Sequence, residues 1–335
     1  MKLELIDTQA PEGWDTELAA AGGTVFHSAA WARYVSRERP GVVPLFGRLT
    51  EAGRPVGCVL AFESAGRGLL KRILARRVWT DGLPVVMQSA LGATLAALEG
   101  AARRRAAIDV LVGSYAANGP SAEFLGARGY ALRRRLEFLL RLEAPEKELW
   151  RAMSHGRRSS VTTARRAGVR IETLSADEGV PALRRLQDAT SERIAQRGGH
   201  LHRYEGSPER DPVHGLVADG PGVLIGARLN GELVSVGLFT VFNGLAYLNL
   251  SGQDRSGLQA GAPSLLIWET ICRWQTEGIT RLNLGGCGLD ATRPDSPEHG
   301  LFAYKKAYGG ETVECASGRM VLAPIRAWLA TRQRR

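Results

Sequence analysis

Two Asn-Gly dipeptides, Asn230-Gly231 and Asn243-Gly244, separate three apolar runs: GVLIGARL (222–229), ELVSVGLFTVF (232–242) and LAYLNLSG (245–252). A two-residue hairpin turn needs positive φ at both central positions, and Asn-Gly meets that need better than other pairs. The spacing predicts three antiparallel strands joined by tight turns. PSLLIWETICRWQTEG (263–278) then reads as a helix, with Leu266, Ile267, Thr270, Ile271 and Trp274 on one face and Gly278 as its stop. TRLNLGG (280–286) is a strand, GGCGLDATRPDSPEHG (285–300) a loop, HGLFAYKKAYGG (299–310) a short helix, and ETVECASGRMVL (311–322) a closing strand.

The first half repeats this order. VVPLFGRL (42–49), the turn EAGR (51–54) and PVGCVLAFES (55–64) form a hairpin. VWTDGLPVVM (78–87) reads as a strand, SALGATLAALEGAARRRA (89–106) as a helix and AIDVLVG (107–113) as a strand. SAEFLGARGY (121–130) is a short helix, and in ALRRRLEFLLRL (131–142) the alternation of Leu136, Phe138, Leu140 and Leu142 marks a strand. A unit this long, occurring twice in 335 residues, predicts two duplicated domains rather than a repeat array. The expected class is α/β (α+β), divided into 1–144 and 145–335. Between the copies, Pro145-Glu146 starts a helix, Arg157 to Ala167 is a basic helix ended by Gly168, and 175–199 is a further helix with Arg184, Arg185, Arg193 and Arg197 on its polar face.

The net charge of +10, from 44 Lys+Arg against 34 Asp+Glu, is clustered at Lys71-Arg72, Arg76-Arg77, Arg103–Arg105, Arg133–Arg135, Arg157-Arg158 and Arg165-Arg166. Such clusters suit polyanions: nucleic acid, nucleotide phosphates or an anionic membrane surface. No run approaches the roughly 20 apolar residues that span a bilayer, and the N-terminus has no signal core, so a cytoplasmic protein is expected. Cys58, Cys272, Cys287 and Cys315 form no C-x-x-C pair and read as reduced thiols. His200, His202 and His214 have no carboxylate or cysteine at ligand spacing, so no metal is expected.

Four segments carry a resemblance. FHSAAWARYVSR (26–37) resembles an opening F-x-x-x-x-W segment. ELWRAMSHGRRSSVTTARRAGVRIE (148–172) resembles a bridging helix, GAPSLLIWETICRWQTEGITRLNLGG (261–286) a late helix and strand, and LFAYKKAYGG (301–310) an F-K-x-x-F-G signature, with Tyr304 in place of its first Phe. Together they resemble the FemABX peptidoglycan-bridge aminoacyltransferases, a branch of the GNAT superfamily. The resemblance covers most of 24–322. It implies two tandem GNAT-like domains, each a mixed, mostly antiparallel twisted sheet flanked by helices; no sustained heptad is present, so no coiled-coil arm is expected.

The resemblance implies transfer of an amino acid from aminoacyl-tRNA to an amine of an anionic muropeptide precursor, by a monomer without a cofactor. Lys305 matches the signature lysine and would stabilise the carbonyl oxygen or hold tRNA phosphates, with Tyr304 stacking on the terminal base or ribose. Arg157, Arg158, Arg165 and Lys306 are the tRNA candidates. Trp31, Arg33, Tyr34, Arg77, Arg193 and Arg197 are the acceptor candidates. Asp109, Asp254, Asp290 and Glu298 are candidate general bases. GQDRSGLQAGAPSLL (252–266) occupies the place of the GNAT pyrophosphate loop with altered spacing, and Pro263 removes a donor. Two other readings stay open: an acyl-CoA-dependent N-acyltransferase, and a non-catalytic RNA- or envelope-binding protein.

Overall fold

A computed structural model describes residues 2–65, 75–115, 121–196, 204, 206 and 210–332. The first copy runs β1 (Lys2–Asp7), α1 (Trp14–Ala20), α2 (Ala29–Glu38), β2 (Val42–Glu51), β3 (Arg54–Ser64), β4 (Arg77–Thr80), β5 (Val85–Val86), α3 (Gln88–Arg104), β6 (Asp109–Val112), α4 (Ser121–Ala127) and β7 (Ala131–Arg141). Helices α5 (Glu146–Ala152) and α6 (His155–Arg166) follow. The second copy runs β8 (Arg170–Leu174), α7 (Ala176–Ala195), α8 (Pro212–Ala218), β9 (Gly222–Leu229), β10 (Glu232–Phe242), β11 (Leu245–Gln253), α9 (Arg255–Ala260), α10 (Ala262–Thr276), β12 (Arg281–Gly288), α11 (His299–Lys306) and β13 (Glu311–Val321), and α12 (Pro324–Arg332) follows.

The compact units are Met1–Arg134 with Cys315–Arg335, and Arg135–Glu314. The sequence reading cuts once, at 144; the units cut twice, inside β7 and inside β13. The reason lies in the strand ladders. In unit 1 the order is β1-β2-β3-β4-β6, and β6 then pairs antiparallel with Gly318–Val321 of β13. In unit 2 the order is β8-β9-β10-β11-β12, and β12 pairs antiparallel with residues 135–141 of β7. The last strand of each copy therefore completes the sheet of the other unit.

The core of unit 1 lies between α3 and the sheet: Leu91, Leu95, Leu98 and Ala102 meet Leu45, Leu49, Val59, Ala61, Val78, Val110 and Val112. In unit 2, α10 is buried nearly all round, and its Leu265, Trp268, Ile271 and Trp274 pack with Phe138, Leu140, Phe239, Ala246 and Leu282. Each of the Leu, Ile, Val and Phe side chains contributes about 1.5–3 kcal/mol on burial. The two Asn-Gly turns form as expected, with φ of 52° and 87° at Asn230 and Gly231, and 51° and 71° at Asn243 and Gly244.

Two expectations are corrected. The strand expected over 78–87 is two strands, β4 and β5, separated by Asp81–Pro84; both pair with β3, through Phe62↔Trp79 and Gly57↔Val86. The loop expected over 285–300 begins later, because β12 runs on to Gly288, opposite Arg135. Among the described residues no helix is long and apolar enough to cross a membrane.

Candidate active site

Strands β11 and β12 pair in parallel from Leu245↔Arg281 to Tyr247↔Asn283, and the pairing stops there although both strands continue. Beyond that point β12 has an irregularity against β7, between Asn283 and Gly286. The Asn283 side chain accepts the Gly285 N–H at 2.8 Å, and Gly285 takes φ 72°, a conformation costly for any residue with a Cβ. A methyl built on Gly285 would lie 3.2 Å from the Leu248 carbonyl oxygen, 3.3 Å from Lys305 Nζ and 3.8 Å from the Tyr247 hydroxyl. Three polar groups therefore converge on one spot that glycine keeps open.

Lys305 reaches this spot from α11. Its Nζ donates to the Gly286 carbonyl at 3.1 Å. Burial holds its pKa down, from 10.5 to about 8, with the fields of Cys287, Glu137 and Glu298 opposing the shift. An ammonium has three N–H donors, so one hydrogen bond leaves capacity for a ligand oxygen. Behind it lies Glu137, a buried carboxylate of β7 that accepts from Asn283 Nδ2 at 2.8 Å, the Tyr247 hydroxyl at 3.3 Å and the Arg135 guanidinium at 2.8 Å. This network fixes the strands that frame the opening.

The rest of α11 is held by packing. Arg157 of α6 places its guanidinium 4.1 Å from the centre of the Tyr304 ring and 5.1 Å from that of Tyr308. It donates to the Ser264 hydroxyl at 2.7 Å and to the Tyr304 carbonyl at 3.4 Å. The Tyr308 hydroxyl donates to that of Tyr304 at 3.0 Å, and Tyr304 donates to the Pro263 carbonyl at 3.2 Å. At the end of the helix, Gly309 comes so close to α5 that an added methyl would sit 2.4 Å from the Ala152 carbonyl oxygen.

The structure gives the remaining tRNA-side candidates these surroundings. Tyr304, expected to stack on a base, has its ring covered by Arg157 and its hydroxyl committed. Arg157 and Arg158, expected to meet tRNA, face the protein instead: Arg158 donates to the carbonyls of Arg151 at 3.0 Å and Met153 at 2.6 Å, closing the end of α5. Arg165 is half exposed and pairs with Glu269 at 2.7 Å. Lys306 is exposed, with its Nζ 5.4 Å from the Phe302 ring centre.

Among the acceptor candidates, Trp31 and Tyr34 are buried neighbours on α2 with ring centres 4.9 Å apart, while Arg33 is exposed. Arg77 lies 3.7 Å from Asp109, which also holds Arg319 at 2.6 Å. Arg193 is half-buried on α7, and Arg197 lies outside the described residues. Of the candidate bases, Asp109 is thus bound in a buried ion-pair group, and Asp254 caps α9 through the Gly257 N–H at 2.8 Å. Asp290 accepts from Ser296 at 3.1 Å, and Glu298 from the Gly288 N–H at 2.8 Å.

The cysteines are free, and burial pushes Cys287 up to about 11 and Cys58 and Cys272 up to about 12, away from thiolate chemistry at neutral pH. His214 meets Asp177 at 2.7 Å; His200 and His202 lie outside the described residues. Sequence reasoning missed Glu137, Asn283, Tyr247, Gly285 and Asp81. The last carried a signal, since Asp-Gly inside an apolar run marks a break.

The segment that holds this site also matches a known domain. Residues 152–306 match the family description "Acetyltransferase (GNAT) domain". Among solved structures, FemX is similar over 98% of this chain and 99% of that one, at 15% identity and a TM-score of 0.76. L-PGS from Bacillus licheniformis is similar over 99% and 98%, at 13% identity and a TM-score of 0.61. A tandem GNAT protein from the clavulanic acid biosynthesis pathway is similar over 96% and 98%, at 15% identity and a TM-score of 0.51. At these identities the likeness speaks for the fold, and it extends the GNAT architecture along nearly the whole chain. A search of curated protein sequences finds no match.

Proposed function

We propose that this GNAT-domain protein is an aminoacyltransferase that moves an amino acid from aminoacyl-tRNA to an amine of an anionic muropeptide precursor. The amine nitrogen bonds to the ester carbonyl carbon, and the carbon–oxygen bond to the ribose breaks. The ribose oxygen leaves with one proton as the amine gives one up. Negative charge grows on the carbonyl oxygen along the way, and a preorganised donor there is worth on the order of 10²–10³ in rate. The placement of Lys305 Nζ carries this reading: it is fixed to the Gly286 carbonyl, beside the opening over Gly285, and mostly protonated at pH 7.

The choice of donor rests on α10. A GNAT enzyme using acyl-CoA binds pyrophosphate on the backbone N–H groups of a helix start. Here that start is packed against α6: a methyl on Gly261 would lie 2.4 Å from the Ser160 carbonyl oxygen, Arg157 holds Ser264, and Pro263 supplies no N–H. This supports an aminoacyl ester over a CoA thioester. The four segments that resemble the FemABX family support the muropeptide acceptor. Purified protein incubated with charged tRNA and a UDP-linked muropeptide tests the proposal by mass spectrometry. The expected product is the muropeptide plus one amino acid; transfer from acetyl-CoA alone would overturn it.

A further inference from the structure

Unit 1 holds a second cluster of polar groups that the transfer step above does not use. Asp81 follows the end of β4, and its Oδ2 accepts from the Trp31 indole N–H at 2.7 Å. The charges that act on it are Arg39 and Glu38, and these two pair with each other at 3.6 Å. A row of rings in contact runs alongside: Tyr115 to Phe26 at 5.3 Å, Phe26 to Trp31 at 4.9 Å, and Trp31 to Tyr34 at 4.9 Å. Tyr115 is 40% exposed, so the row reaches the surface.

The neighbouring backbone is fixed. Gly113 donates to the Thr80 carbonyl at 2.7 Å and Tyr115 to the Asp81 carbonyl at 3.1 Å. The side chains beside it are less well provided. Trp79 Nε1 and Thr80 Oγ1, just before Asp81, and Ser36 Oγ, on the helix of Trp31, are buried and have no hydrogen-bond partner among the described residues. Buried polar atoms of folded proteins are paired in roughly nine cases out of ten. Trp79 and Thr80 are consecutive on β4 and point to opposite faces of the sheet, so it is Thr80 Oγ1, the residue before Asp81, and Ser36 Oγ on α2 that leave hydrogen-bonding capacity on the segments flanking the Asp81–Trp31 pair.

We propose that this cluster is a subsite for a primary ammonium group, with Asp81 as its counter-ion and the rings of Trp31, Tyr34, Phe26 and Tyr115 as its wall. A carboxylate attracts a cation through its charge, and a ring face adds to that attraction where it meets the cation; Trp31 turns its N–H edge to Asp81, so its part is to hold the carboxylate in place. Burial disfavours the charged form of Asp81, and an arriving cation relieves that cost, so binding of an ammonium is favoured over water. Arg39 is matched by Glu38, and the carboxylate, bonded through Oδ2 to the Trp31 N–H, keeps acceptor capacity at its other oxygen. For its biological meaning the inference rests on the transferase reading. It names the handle by which unit 1 recognises an acceptor: a positively charged amine on a flexible, partly apolar arm.

The test uses the full chain with 15N-labelled tryptophan and cadaverine as the probe. The Trp31 indole cross-peak, assigned with Trp31→Phe, reports directly on the group bonded to Asp81. Cadaverine is expected to shift this peak saturably and 1-pentanol to leave it in place. Asp81→Asn keeps the side-chain shape and is expected to weaken cadaverine binding at least tenfold, whereas Lys305→Ala leaves it unchanged. Tyr115→Ala, at an exposed ring, is expected to weaken it severalfold and serves where Asp81→Asn does not fold. Equal binding by Asp81→Asn or by Tyr115→Ala, or an equal shift with pentanol, would overturn the proposal. No acyl donor is present, so failure of the transferase reading would leave the shift intact, and loss of the shift would leave that reading standing.

Discussion

The guanidinium of Arg157 lies 4.1 Å from the centre of the Tyr304 ring and donates to the carbonyl of the same residue at 3.4 Å. One arginine thus ties α6 to the helix that carries Lys305. A desolvated cation–π contact contributes about 2 kcal/mol. Arg157→Ala is expected to destabilise the protein by roughly 3–5 kcal/mol, adding the lost charged hydrogen bond to Ser264. Arg157→Lys recovers little, because an ammonium cannot lie flat on the ring and reach Ser264 together. Denaturant melts read the stability change. A variant of full stability whose tRNA affinity has become less salt-dependent would show instead that Arg157 meets phosphate.

Gly285→Ala tests the opening between β11 and β12. The φ of 72° costs a non-glycine residue about 1–2 kcal/mol, and the methyl would stand 3.3 Å from Lys305 Nζ. The expected result is a modest fall in melting temperature and a loss of transfer of tenfold or more. Unchanged kinetics would mean that the reacting carbonyl lies elsewhere.

Lys305 gives pH dependences in both activity and stability. Its folded pKa is about 8 against an ordinary 10.5. A role as a positively charged donor predicts a rate that falls above about pH 8. Stability should move the other way. Between about pH 8 and 10.5 the unfolded chain holds a proton that the folded one has released, so this residue's contribution to stability rises with pH across that window. Transfer rates and melts over pH 6–10, for the native chain and Lys305→Met, read both trends. A rate that climbs through pH 8 would assign the neutral amine a role as base.

Chain division gives a test of the strand exchange. Residues 1–144 lack Gly318–Val321, the partner of β6, and residues 145–335 lack the β7 partner of β12. Each piece expressed alone is expected to be insoluble or unfolded, with an unpaired strand edge. The two expressed together are expected to recover a folded complex. Two independently folded pieces would contradict the ladders.

Much of this was legible in local pattern. The Asn-Gly turns, the apolar face of α10 and the order of the duplicated elements follow from turn chemistry and periodicity, which a single sequence records directly. The strand exchange was not legible, because β7 and β13 look alike in the sequence and only tertiary pairing decides which unit each completes. Lys305 was found through a resemblance, and its surroundings were not. Glu137 reads as the solvent face of an alternating strand, yet its carboxylate is buried among Asn283, Tyr247 and Arg135. Arg157 reads as one more charge in a basic helix. Nothing in its neighbours announces that two tyrosines 147 and more positions onward enclose it.

The central claim is that Lys305 supplies charge stabilisation at the donor carbonyl. The most direct measurement is single-turnover transfer by Lys305→Met, with its thermal melt beside it. Replacing a half-buried cation by an apolar chain of similar length should leave the melting temperature equal or higher. The account predicts transfer lowered by about 10²–10³ in a protein at least as stable as the native one. Native transfer rates in a folded Lys305→Met protein would contradict it.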